Sequence, residues 1–180
     1  MARDDDAMLV EACLRGDRNA FGTLVDRYEG PIFNAAYRIT GSVEDAMDAT
    51  QNAFVAAYEK LHTFDPTYRF FSWIYRIAVN QSLNLVSGRK AQTSLDENAH
   101  AADHGPAEVF DTTEARGQLR QALLDLEPIY RTVIVLKHLE GLSYREIGDI
   151  LDIPEKTVKS RLFTARQRLR VILTERGFAP

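Results

Sequence analysis

Apolar residues recur every three or four positions through most of the chain, and no alternating run is long enough to predict a strand. The pattern reads as helices punctuated by Gly, Pro and capping residues. Asp6 is placed to cap a short helix over 7–15, stopped by Gly16. A second helix runs from about Asn19 to Ile39, where Pro31 should bend or break it and Gly41 ends it. Ser42 followed by Asp45 resembles a capping box, with Asp in place of Glu or Gln, and opens a helix from Val43 to Leu61. A loop around His62–Thr67 holds Pro66, and a fourth helix covers roughly 70–87. Further on come helices over about 115–126 and, after Pro128, to Leu139, with Gly141 closing the second. Two more helices follow, separated by Asp152-Ile153-Pro154.

Between the two helical stretches the period is lost. Residues 91–114 are rich in Ala, Asp, Thr and His, contain Gly105-Pro106, and carry six acids with no Lys or Arg. The expected architecture is therefore all-α: two small helical domains, 1–90 and 115–180, joined by a flexible acidic linker. Charge sharpens this division. The net charge of −4 conceals a basic C-terminal third, 115–180, with 12 basic against 8 acidic groups. A basic C-terminal third keeps nucleic acid in play despite an acidic whole.

The basic third contains a short helix, a turn and a longer basic helix. Ser143 and Glu146 form a capping box for the first, over 142–151, and the second begins at Glu155. Val158, Leu162, Ala165 and Leu169 repeat as one apolar stripe on the second, while Lys156, Lys159, Ser160, Arg166 and Arg170 lie on its other surface. This is the helix-turn-helix design, whose second helix enters the major groove of DNA. An ordinary helical hairpin with a solvated basic face would show the same pattern. In the first domain, helical periodicity sets Val43, Met47, Thr50, Phe54, Ala57 and Leu61 on a core stripe and Asp45, Asp48, Gln51, Asn52 and Val55 on the opposite face. That face suits a basic protein partner, although on this face alone simple solvation is the better reading. The segment Tyr68 to Asn80 packs aromatics beside Arg69 and Arg76, with Arg89 and Lys90 further on. Aromatic rings stack on unpaired bases while cations hold phosphates, so this is a candidate surface for single-stranded nucleic acid. Trp73, Phe70 and Ile77 are better placed in the core.

These motifs, in this order, resemble the bacterial RNA polymerase sigma factors of the extracytoplasmic-function (ECF) class, within the sigma-70 superfamily. The stretch Asp45-Ala46-Met47-Asp48-Ala49-Thr50-Gln51-Asn52-Ala53-Phe54 is similar to the family's core-polymerase-binding helix. Phe71-Ser72-Trp73-Ile74-Tyr75-Arg76-Ile77-Ala78-Val79-Asn80 is similar to its promoter-melting and −10-reading segment. Leu142-Ser143-Tyr144-Arg145-Glu146-Ile147 with Thr157-Val158-Lys159-Ser160-Arg161-Leu162 resembles its −35-reading helix-turn-helix. The resemblance implies an alternative sigma factor, not an enzyme and without a cofactor. Asp45, Asp48, Gln51, Asn52 and Val55 would meet the clamp helices of the polymerase largest subunit. Tyr68, Arg69, Tyr75, Arg76 and Asn80, with the loop around His62–Tyr68, would hold the −10 strand and a flipped base. Lys156, Lys159, Ser160, Phe163 and Thr164 would face the −35 duplex, with Arg161 and Arg166 on phosphates. The acidic linker would run through the RNA exit path.

This chain departs from the family pattern at three places. Met47 and Asn52 stand where acids are usual, and Thr164 where Arg is frequent. In a subset of such sigma factors a weakened acidic motif is compensated by threonine phosphorylation, which makes Thr50 a candidate acceptor. The wheel, however, sets Thr50 on the core stripe. An anti-sigma factor and a Ser/Thr kinase therefore both remain candidate partners. The rival from another class is a dimeric helix-turn-helix regulator of duplex DNA that never meets polymerase, which leaves the aromatic segment and the α-helical acid-amide face unused. A hydrolase has little support: His62, His100, His104 and His138 have no metal-ligand spacing, no glycine-rich phosphate loop appears, and the single cysteine, Cys13, allows no internal disulfide. No apolar run nears the roughly 18 residues of a membrane span, and Met1-Ala2-Arg3-Asp4-Asp5-Asp6 lacks a signal-peptide pattern, so a cytoplasmic protein is expected.

Overall fold

A computed structural model describes residues 2–95 and 114–177, and among them every regular element is helical. The first half holds α1 (Ala2–Leu14), α2 (Arg18–Thr40), α3 (Val43–Glu59), a 3-10 turn at Leu61–Thr63 and α4 (Phe70–Leu95). The second holds α5 (Glu114–Leu124), α6 (Pro128–Ile134) continued by a π-helical turn at Val135–Leu139, α7 (Tyr144–Leu151) and α8 (Glu155–Glu175). The RNA-exit-path expectation for the linker concerns mainly 96–113 and lies outside the described residues.

Local chemistry accounts for most boundaries. The Asp17 carboxylate caps α2 by accepting from the Asn19 amide, and Gly41 ends it with φ +76°, a left-handed conformation that glycine adopts without strain. Pro31 neither breaks nor ends α2. It sits on the exposed side, where water can satisfy the carbonyl that its missing N–H leaves free. Ser42 Oγ caps α3 by accepting from the Asp45 amide, but the reciprocal half of the box is absent, because the Asp45 carboxylate pairs with Arg89 of α4. Asp6 does not cap α1. It lies inside that helix, 5% exposed, and accepts from Arg27 and from the Tyr28 hydroxyl of α2.

In the first half α2, α3 and α4 pack on one another and α1 lies across α2. The buried face of α3 differs from the predicted stripe. Ala46, Ala49, Thr50, Ala53, Phe54 and Ala57 are buried, whereas Val43 is 41% and Met47 59% exposed. Small side chains let helix axes approach closely, so this helix is held by alanines more than by its bulky residues. Phe54 adds an edge-on contact to Phe21. In the second half α6, α7 and α5 all pack against α8.

The two halves pack on one another. One continuous core runs from Leu24, Ile32, Phe70 and Ile74 to Leu136, Ile147, Ile150 and Leu162, and α4 lies against α7. Buried Arg131 of α6 donates to the carbonyls of Ile39, near the end of α2, of Leu124, the last residue of α5, and of Leu126 just beyond it. These carbonyls cluster at helix C-termini, where a cation is favoured. Burial still pushes the Arg131 pKa down, to about 10. Beside it Arg120 donates to the Tyr37 hydroxyl, and the Leu124 side chain packs against the Gly41 backbone.

Candidate nucleic-acid and polymerase surfaces

The alanine-lined back of α3 leaves its front free. Met47, Asp48, Gln51, Asn52 and Val55 are exposed, spaced at three and four residues, and form one stripe along the helix. Four of the five candidate partner-binding residues thus share a surface. Asp45 sits at its edge, half-buried under Arg89. Met47, expected in the core, belongs to the stripe instead. Thr50 is 6% exposed and its hydroxyl donates to the Ala46 carbonyl at 2.7 Å, so a phosphoryl donor has no access to it in this fold.

The aromatic segment divides between core and surface. Phe70 is buried, and Phe64 and Trp73 pack around it with ring centroids 5.7 Å from its own. Tyr68 and Arg69 are exposed at the start of α4, Arg76 is half-exposed two turns on, and Asn80 is exposed one turn further. Tyr75 corrects the expectation. It is 1% exposed, its ring lies 4.3 Å from that of Phe71, and its hydroxyl donates to Glu140 at 3.1 Å. It faces the second half, where burial and the Glu140 carboxylate push its pKa up, and it presents nothing to a nucleic acid.

The helix-turn-helix forms as predicted. Ser143 Oγ accepts from the Glu146 amide, and the Glu146 carboxylate accepts from the Ser143 amide at 3.0 Å. The bond from the Ser143 amide, opposed by burial and reinforced by the Ser143 hydroxyl and by Arg69, holds the Glu146 carboxyl below its usual range. Asp152 takes the left-handed conformation, φ +55°, that turns the chain between α7 and α8. A Cβ on Gly148 would lie 2.8 Å from the Ile153 carbonyl, so the crossing of the two helices requires glycine there. On α8, Val158, Leu162 and Ala165 are buried. Lys156, Lys159, Ser160, Phe163 and Arg166 are exposed on one face, with Phe163 65% exposed. Thr164 is half-exposed at its margin, and Arg161 lies on the opposite flank of the helix. Two contacts that the sequence did not suggest steady this face. Tyr144 carries the Lys159 ammonium 5.6 Å and the Lys137 ammonium 4.9 Å from its ring centroid. His138 Nε2 accepts from Arg166 at 3.4 Å, and burial, Arg166 and Lys137 together lower the His138 pKa.

Known proteins bear on this arrangement directly. The Sigma-70 region 2 family matches residues 24–92, and the Sigma-70, region 4 family matches 116–169. The chain is 37% identical over 174 residues to the ECF RNA polymerase sigma factor SigW of Bacillus subtilis, covering 89% of this chain and 92% of that protein. It belongs to the ECF sigma factors of RNA polymerase. This sigma factor is also 32% identical over 181 residues to the RNA polymerase sigma-H factor of Pseudomonas aeruginosa, with 94% of each chain covered. Its fold matches that of CnrH, solved in complex with the cytosolic domain of CnrY, with a TM-score of 0.72 at 30% identity over 96% of this chain and 99% of that one. As a sigma factor it binds the RNA polymerase core and promoter DNA and directs transcription initiation. The dimeric-regulator rival is thereby set aside. Among the described residues no helix is long and apolar enough to cross a membrane.

In this sigma factor the two halves enclose a cleft of about 610 Å³. The loop at Thr63–Asp65 with Tyr68, Trp73 and Arg76 forms one wall, and the α7–α8 turn forms the other. Three ion pairs join the halves, one of them, Arg76 with Asp152, in the cleft lining. Arg69 meets Glu146 at 2.5 Å, Arg76 meets Asp152 at 2.7 Å, and Arg38 of α2 meets Glu140 at 2.5 Å.

Proposed function

We propose that each of the three surfaces carries one task of this alternative sigma factor. The exposed stripe of α3, Asp48, Gln51, Asn52 and Val55 with Asp45 at its edge, docks on the clamp helices of the polymerase largest subunit. Met47 brings an apolar contact where the family usually has an acid, so docking here leans less on charge than on a mixed polar and apolar fit. Tyr68, Arg69, Arg76 and Asn80 hold the single strand of the −10 element, the arginines on phosphates and the loop beside Tyr68 around an extruded base. Lys156, Lys159, Ser160, Phe163 and Thr164 read the −35 duplex in the major groove, with Arg166 and Arg161 on phosphates at either side. The observation that carries this reading is the face of α8: every candidate residue on it except the marginal Thr164 and the flanking Arg161 is exposed, while the apolar stripe behind it is fully used. The protein acts in the cytoplasm, as an initiation factor and not as an enzyme. The phosphorylation expectation for Thr50 has no support from its buried, hydrogen-bonded hydroxyl.

The test is transcription from a promoter selected by the reconstituted holoenzyme. Lys159→Ala with Phe163→Ala should relax the −35 preference, and Gln51→Arg should lower affinity for the core without altering DNA preference. Wild-type promoter choice by the Lys159→Ala, Phe163→Ala variant, or wild-type core affinity of Gln51→Arg, would reject the assignment.

A further inference from the structure

His138 is a titratable group to which none of the three surfaces gives a task. It stands exposed in the π-helical turn after α6, against the reading face of α8. Its Nε2 accepts from Arg166 Nε at 3.4 Å and from Arg166 Nη2 at 3.3 Å, so the ring is neutral and keeps its proton on Nδ1. The preceding residue, Lys137, donates to the Leu142 carbonyl at 2.9 Å and lies over the Tyr144 ring that also carries Lys159. Consecutive side chains of the turn thus reach α8 beside Lys159 and at Arg166, positions about 10 Å apart along its axis. The charge around His138 is one-sided. Burial, Arg166 from α8 and Lys137 from its own turn push its pKa down from the ordinary 6.5. The acids of the neighbouring elements are already engaged. Glu140 of the same turn pairs with Arg38 of α2 and takes the Tyr75 hydroxyl of α4, and Glu146 of α7 pairs with Arg69 and caps its own helix. Tyr144 of α7 offers a ring and no charge, and Arg131 of α6 is spent on three carbonyls. A phosphate seated here would supply the negative charge that these acids do not.

We propose that His138 is a further DNA-contacting residue of the −35 site, and that it takes up a proton from solvent when the duplex backbone seats beside Arg166. This rests on the assignment of α8 to the −35 duplex. The proton goes to Nε2, which turns from acceptor to donor. Arg166 then releases the ring, and imidazolium and guanidinium both donate to phosphate oxygens. Proton binding and duplex binding favour one another, so affinity rises as pH falls through the range in which His138 titrates. Each unit by which the phosphate raises the His138 pKa makes binding about tenfold tighter below both values than above both.

The experiment measures the Kd of the full chain for a fluorescein-labelled duplex carrying the −35 element of a promoter that the holoenzyme selects, from about pH 7.5 to about pH 5.5. Wild-type Kd should fall about tenfold over that range. Most of the fall should be absent from His138→Gln, which keeps an acceptor for Arg166 and does not titrate. The other histidines are common to both proteins, so the difference between the two slopes belongs to His138. His138→Arg, charged throughout, should share the shallow slope and bind more tightly than His138→Gln at about pH 7.5. Ring NMR titration of His138 in the free and duplex-bound chain gives the direct readout: its pKa should rise on binding, whereas a ring that only props Arg166 would keep its free value. Equal slopes for wild type and His138→Gln, or a His138 pKa that the duplex leaves unchanged or lowers, would overturn the proposal. Lys159→Ala with Phe163→Ala on the same duplex tests the −35 assignment separately. Wild-type affinity in that variant sinks the assignment, while weakened affinity together with equal slopes sinks the proton uptake alone.

Discussion

Thr50 is buried with its hydroxyl spent on the Ala46 carbonyl. Replacing it with Glu puts a carboxylate into a site built for a methyl group, and burial of an unpaired charge costs at least about 2 kcal/mol. Thr50→Glu should therefore lower the denaturation midpoint and leave core-polymerase affinity no higher, as chemical unfolding and a binding titration would reveal. Gly148 makes the opposite kind of demand, for absence of side chain. Alanine in mid-helix ordinarily adds up to about 1 kcal/mol, but here its Cβ meets a backbone carbonyl that cannot swing aside. Gly148→Ala should cost about 1–3 kcal/mol and weaken −35 duplex binding by misplacing α8, both measurable in the full chain. The Thr50 environment was visible from its position on the wheel. The need for glycine at 148 was not, because it arises from Ile153, whose approach depends on how the turn folds.

At the scale of elements, α7 and α8 were legible almost residue by residue. Their signals are local: a capping pair three residues apart and an apolar stripe of one period. The face of α3 was legible in its front and misread in its back, since a wheel that counts bulky residues overlooks a core made of alanines. The capping box of α7 sets a pH dependence. The Glu146 carboxyl is held below its ordinary 4.5 in the folded state, so its contribution is complete above that value and is lost as pH falls through the lowered folded one. Glu146→Gln should flatten the slope of stability against pH in that acidic window, as unfolding curves taken at successive pH values would record. For α8, Arg166→Ala removes a cation from one edge of the reading face. Affinity for −35 duplex should fall across all sequences, and the slope of log Kd against log salt should shrink by about one. Preference among sequences should be unchanged, in contrast to the effect of Lys159→Ala with Phe163→Ala.

At the scale of the molecule, the sequence predicts two domains, which the two family matches bear out, but not the contacts between them. The contacts that join them link residues 65 to 102 positions apart, and each looks locally like an ordinary solvated charge. Tyr75 was misplaced for the same reason, because its burial is supplied by the other half of the chain. Arg131 is the main polar tie, serving three carbonyls from two helix ends. Arg131→Met keeps the bulk and strands those carbonyls, which should cost about 3 kcal/mol or more. The wild type should unfold in one calorimetric transition, and this variant should split it into two. The tie has a further consequence in time. The Ile39 carbonyl precedes its Arg131 partner by 92 residues, and ribosomes add roughly 5–20 residues each second. For several seconds of synthesis the first helices have Arg69 and Arg76 uncovered, beside a messenger and a ribosome made of RNA. The carboxylates that pair with these two arginines, Glu146 and Asp152, are among the last parts of the chain to be made.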